Sequence, residues 1–329
     1  MVKPTPAPVK EKKGWVATIV KFFSRCFFRL ILLKLVILET IIETTFLHKE
    51  IVGSNPEERS WFWNQIFEKD EDYHDYEEVY GGEVQNDYPE ELWIHVNGIM
   101  TELDDAKKTC VEMHNLFGRP CKLLHNPTDG LILDLLECFM GKTGLLKHGC
   151  TRPRHRLKNS LLMEMDVEKY KKIVLVAHSQ GTIITGYVIG DLNDMVENEE
   201  STAEERESMK EKMSKLEVYL VAGAAHHASG KYVSRLECLS NRGDFVAILG
   251  HIFPNTLKGI WKDIRGNGII YKHCKDHVDN LKWGHLLSRH YFASMEKGSF
   301  SESKLVTEYM LQNSKTQNAQ SETTPLISK

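Results

Sequence analysis

Five apolar residues, Ile173-Val174-Leu175-Val176-Ala177, run without a polar interruption into His178-Ser179-Gln180-Gly181. A strand with one wet face alternates apolar and polar side chains. An unbroken run rich in β-branched residues suits a strand covered on both faces, as in the middle of a parallel sheet. Ala177 and Gly181 stand two residues either side of Ser179. Both are small enough for a sharp bend from strand into a helix expected over 180–195, and a serine in that bend carries its hydroxyl out at the end of the sheet.

The surrounding pattern fits such a sheet. Short apolar strands are expected at 92–96, 122–125, 218–222, 235–239 and 268–272, with helical periodicity at 105–117. A strongly apolar helix is expected at 131–140, a basic loop at 147–159, and a solvated, densely charged helix within 197–215. From 298 onward Ser, Thr, Gln, Asn and Lys dominate, which reads as a largely disordered tail. The expected organisation is a basic-apolar segment at 1–50, an acidic connector at 51–90, one α/β catalytic domain at 91–296 and a polar tail at 297–329. The chain's 329 residues, 41% of them hydrophobic, suffice for one large core with extensions.

Charge and cysteine content exclude several classes. Acidic residues number 46 against 42 basic, a net charge of −4, so no global field attracts nucleic acid. The seven cysteines, Cys26, Cys110, Cys121, Cys138, Cys150, Cys238 and Cys274, are odd in number, scattered and free of C-x-x-C pairs. That fits neither a disulfide scaffold nor a zinc ribbon, and they read as reduced thiols. Gly141-Lys142-Thr143 lacks the glycine five residues earlier that a phosphate loop needs.

Residues 15–47 are strongly apolar but interrupted by Lys21, Arg25, Arg29, Lys34, Glu39 and Glu43. Lys21, Arg25 and Arg29 fall on one helical face with phenylalanines over much of the rest, the pattern of a basic helix lying in a membrane interface. A tilted span from Leu30 to Leu47 would hold three charges in hydrocarbon. Both modes stay open, as does packing on the catalytic domain. The expectation is a membrane-associated chain whose catalytic domain faces the cytosol. Glu322-Thr323-Thr324-Pro325-Leu326-Ile327 resembles an acidic dileucine endosomal or lysosomal sorting signal.

Three further patterns accompany the serine. The strand at 92–96 ends in Asn97-Gly98-Ile99, where glycine permits close backbone approach. Asn241-Arg242-Gly243-Asp244-Phe245-Val246 places an aspartate after a later strand through a polar turn at 240–243. Trp283-Gly284-His285 places a histidine at the start of a helix, with His290 and His277 as further candidates. Together with Ala-His-Ser-Gln-Gly, these resemble the lipase-like and serine-esterase-like members of the α/β-hydrolase superfamily over residues 91–296. Alanine at 177 and asparagine at 97 depart from the fuller pattern, which has glycine and histidine there.

The resemblance implies a mainly parallel sheet flanked by helices and a Ser179 nucleophile. It implies Asp244 as orienting acid and His285 as base, in the chain order Ser, Asp, His. It also implies an oxyanion hole from the Gln180 N–H and that of Ile99 or Met100, with Asn97, Gly98, His178 and Gly181 supporting the bend. The chemistry implied is acyl transfer from an ester of a lipid or other acyl substrate, with no metal or organic cofactor. A thioesterase or amidase would use the same residues. An inactive hydrolase fold serving as a membrane scaffold is the alternative outside enzymes.

Overall fold

The computed structural model describes residues 79–80, 87–98, 101–126, 151–225, 228–252 and 272–310. Its strands are β1 (Val79–Tyr80), β2 (Glu91–Val96), β3 (Cys121–Leu124), β4 (Lys172–His178), β5 (Leu216–Val221), β6 (Arg235–Gly243) and β7 (Lys275–Trp283). Helices are α1 (Leu103–Phe117), α2 (Thr151–Asp166), α3 (Gln180–Glu197), α4 (Ala203–Ser214), α5 (Phe245–Ala247) and α6 (Ala293–Glu296). π-Helical segments occupy Ile248–Ile252, Leu287–Phe292 and Leu305–Met310.

The sheet order is β1-β3-β2-β4-β5-β6-β7. All neighbours from β3 to β7 pair in parallel, and β1 adds an antiparallel edge. The molecule is therefore an α/β fold with a mainly parallel sheet flanked by helices. Period-two alternation splits its core in two. Leu92, Ile94 and Val96 of β2 join Ile173, Leu175 and Ala177 of β4 on one face, under Leu157, Leu161 and Met165 of α2 and the apolar face of α3. Trp93, Val174, Val176, Tyr219 and Leu239 point to the other face. There they meet Met113 and Phe117 of α1 together with Tyr291, Phe292, Leu305 and Tyr309. The run at 173–177 is wholly buried, which is why it carries no alternation.

Strand order reverses between β2 and β4: the chain leaves β2 for β3 on one side, then returns to place β4 on the other. Outside the carboxyl ends of such a strand pair lies the crevice where open α/β sheets hold ligands. Asn97-Gly98 follows β2 there, and Ser179 follows β4.

Three expectations are corrected. The basic stretch at 147–159 is helical from Thr151, because Pro153 falls in the first turn, where its missing N–H costs nothing, and Leu157, Leu161 and Met165 repeat every four residues onto the core. The polar turn expected at 240–243 is the end of β6, whose Ser240 and Asn241 are fully buried. The strand expected at 268–272 lies outside the described residues except for Lys272, which forms an isolated bridge with Ser229, and the last strand among the described residues is β7 at Lys275–Trp283. The core runs past 296 to Met310, because Leu305, Val306 and Tyr309 are buried. The expectations for residues 1–78, 131–140, 311–329 and Ile99 also lie outside the described residues. Among the described residues, no helix is long and apolar enough to cross a membrane.

Candidate active site

Ser179 follows β4 in a conformation that L-residues avoid, with φ 53° and ψ −121°. Such backbone strain costs on the order of 1–3 kcal/mol and persists only where surroundings hold it. Two close approaches do so. A Cβ on Gly181 would lie 2.5 Å from the Val96 carbonyl oxygen and 2.8 Å from that of Asn97, so only glycine lets α3 start against β2. A Cβ on Gly98 would lie 2.7 Å from the Ser179 Cβ and 3.3 Å from its Oγ. Thr182 ties the bend further. Its hydroxyl donates to the Ser179 carbonyl at 2.6 Å and accepts from the Ala224 and Ala225 N–H groups at 3.0 and 3.2 Å.

The Ser179 Oγ lies 2.8 Å from His285 Nε2. His285 Nδ1 lies 2.9 and 3.0 Å from the two Asp244 carboxylate oxygens. A carboxylate only accepts, so Nδ1 carries the proton and a neutral ring leaves Nε2 free to take one from serine. Asp244 has no solvent exposure. Its Oδ1 caps α5, accepting from the Val246 and Ala247 N–H groups at 2.9 and 3.2 Å. Its Oδ2 accepts from the Tyr291 hydroxyl at 2.7 Å. Burial alone would raise the carboxyl's pKa. The His285 ring, the Tyr291 hydroxyl and the helix N–H outweigh it and hold the pKa below its ordinary value.

His178 faces His285, with ring centroids 4.9 Å apart. Its Nε2 donates to the His285 carbonyl oxygen at 2.9 Å, which fixes the Nε2–H tautomer. Burial, and then the neighbouring His285 ring, lower its pKa to about 3. It therefore stays neutral and adds no positive charge against an imidazolium on His285.

Gln180 opens α3, an 18-residue helix whose N-terminal N–H groups point toward Ser179. Asn97 holds the approach to it. Its amide donates to the Asn126 carbonyl at 2.9 Å and its carbonyl accepts from the Asn126 N–H at 2.7 Å, extending the β2–β3 pairing through a side chain. The Asn126 amide then donates to Gln180 Oε1 at 2.6 Å.

Ser179, Asp244, His285, Gln180, Asn97, Gly98, His178 and Gly181 thus converge at one end of the sheet. The remaining candidates stand apart from Ser179. His290 accepts from the Leu286 N–H at 3.0 Å, and His277 lies 3.3 Å from Glu237. Sequence reasoning missed Tyr291 and Thr182. Asn126 carried a signal, as the polar residue closing the strand beside β2. Tyr291 and Thr182 carried none, since each acts through a contact 47 or 42 residues away.

Compared with protein-family models, with curated proteins and with solved structures, the chain gives no match in any of the three.

Proposed function

We propose that this chain is a serine hydrolase of the α/β-hydrolase type that cleaves an ester of a lipid or other acyl substrate. The carrying observation is the line Ser179–His285–Asp244, with each hydrogen bond between 2.8 and 3.0 Å and the serine on a strained bend after β4. His285 Nε2 takes the Ser179 proton as Oγ attacks the carbonyl carbon. Asp244 holds the ring and stabilises the imidazolium. The Gln180 N–H, at the positive end of α3, stabilises the oxyanion, with Ile99 or Met100 as second donor. The imidazolium passes its proton to the departing alcohol, and water, deprotonated by the same ring, cleaves the acyl-enzyme.

An apolar substrate is supported by Leu281 and Trp283, 85% and 72% exposed just before His285, and by the apolar segment at 15–47, which would bring the site to a membrane surface. Thioesters and amides would engage the same groups, and an acyl-chain panel of all three bond types ranks them.

A fluorophosphonate probe tests the reading. Wild-type protein labels at Ser179, Ser179→Ala abolishes labelling, and Asp244→Asn, which favours the wrong His285 tautomer, slows it by about 10⁴-fold. Folded wild-type protein that fails to label would refute the enzyme reading and favour the inactive scaffold.

A further inference from the structure

The β6–β7 pairing sets Cys238 opposite Asp276. Side chains alternate along a strand, so Cys274, two residues before Asp276, belongs to the same face of the sheet, as does Ser240, two residues after Cys238. The Cys238 and Cys274 sulfurs are 3.1 Å apart, and both lie within 4.8 Å of an Asp276 carboxylate oxygen. His251, from the π-helical segment after α5, closes over them. Its Nε2 is 2.9 Å from Asp276 Oδ1, and its Nδ1 is 2.8 Å from the Ser240 hydroxyl. Cys238 is fully buried, Cys274 is half-buried and the Asp276 side chain is 33% exposed, so the group opens to solvent on the β7 side.

We propose that Cys238, Cys274 and Asp276 form a binding site for a thiophilic divalent cation of the zinc type, joining β6 to β7. Two sulfurs and one oxygen are a borderline-soft donor set that favours such a cation over magnesium or calcium. Around a tetrahedral centre with zinc–ligand bonds of about 2.0–2.3 Å, these donors would sit about 3.4–3.8 Å from one another, which small side-chain rotations reach from the separations here. His251 hydrogen-bonds the carboxylate and is itself held by Ser240, the arrangement by which outer groups orient a metal ligand. The fourth position faces solvent. On binding, each thiol releases a proton to water and gives its sulfur lone pair to the cation; nothing is oxidised. A disulfide would use the two sulfurs but leaves the convergence of Asp276 and the seating of His251 on it without a role.

Full-length protein, reduced and stripped with a chelator, is titrated with Co²⁺ and separately with Zn²⁺. Thiolate-to-cobalt charge-transfer bands saturating at one equivalent are expected, as is one zinc retained through desalting. Cys274→Ser and Asp276→Asn, both partly exposed and checked for native circular dichroism, weaken binding at least 100-fold. His251→Gln weakens it by about 10–100-fold with the charge-transfer bands intact. The proposal is overturned if folded, reduced wild-type protein gives no such bands and retains no zinc, or if Cys274→Ser binds cobalt as tightly as wild type. It is equally overturned if peptide mapping finds Cys238 and Cys274 fully disulfide-bonded at the glutathione poise of the cytosol.

Discussion

A carboxylate withdrawn from water costs several kcal/mol unless its lone pairs meet donors, and Asp244 meets four: two helix N–H groups, a tyrosine hydroxyl and the His285 ring. Neutral imidazoles are the complementary case. Burial lowers the pKa of His95 to about 4, although its Nδ1 donates to the Val176 carbonyl at 3.1 Å, and it lowers that of His178 to about 3. In the unfolded chain both titrate near 6.5. Below that pH the unfolded state binds protons that the native state refuses until about 4 and about 3. Stability is therefore complete above 6.5 and is lost as pH falls through this window. Urea unfolding at pH 7 and pH 4.5 should differ by on the order of 4 kcal/mol, with much of the difference removed in His95→Gln. An unchanged stability between the two pH values would contradict this account.

At the scale of elements, the bend after β4 is held by backbone more than by side chains. Gly98→Ala would push a methyl group to 2.7 Å from the Ser179 Cβ. The variant should fold with a loss of about 1–3 kcal/mol, while probe labelling falls by at least 100-fold because the hydroxyl leaves the line to His285. Labelling at the wild-type rate would show that Gly98 does not set the serine's position. These same elements mark how far the sequence could be read. The strand at 173–177 and the bend were legible, because an unbroken apolar run and small flanking residues are local signals, whereas Asp244 and His285 followed from the resemblance and its chain order. The edge strand β7 was not: Lys275-Asp276-His277-Val278-Asp279-Asn280 has almost no apolar content, and its place is set by pairing with β6. Nor was Tyr291, whose role depends on a hydroxyl meeting Asp244 across the fold. The cysteines looked scattered for the same reason, since Cys238 and Cys274 meet only through sheet register.

The whole molecule is closed by the chain that follows α6. Ser303 Oγ donates to the buried Glu237 at 2.6 Å, Lys304 Nζ to Glu217 at 2.6 Å and Tyr309 OH to Glu217 at 2.9 Å. Burial would raise the Glu237 pKa, but His277, Ser303 and Arg235 bring it to about 2. Ser303→Ala would strip this carboxylate of one donor and should lower the unfolding free energy by about 1–3 kcal/mol, measured in urea at pH 7. No change would mean that water replaces the hydroxyl. On the proposed membrane association, the charges of Lys21, Arg25 and Arg29 should bring full-length protein down with vesicles containing anionic lipid. Reversing the three charges to glutamate should release it. Equal sedimentation of both forms would remove the electrostatic basis for membrane binding.

His285 is 106 residues beyond Ser179 in the chain, and β5, β6 and β7 must all be in register before the two can touch. In the proposed hydrolase, chemical reactivity of the hydroxyl is thereby made a late event in assembly: a nascent or refolding polypeptide carries an inert serine until β7 is zipped. Quenching refolding at intervals with a serine-directed probe would thus time the closure of that edge.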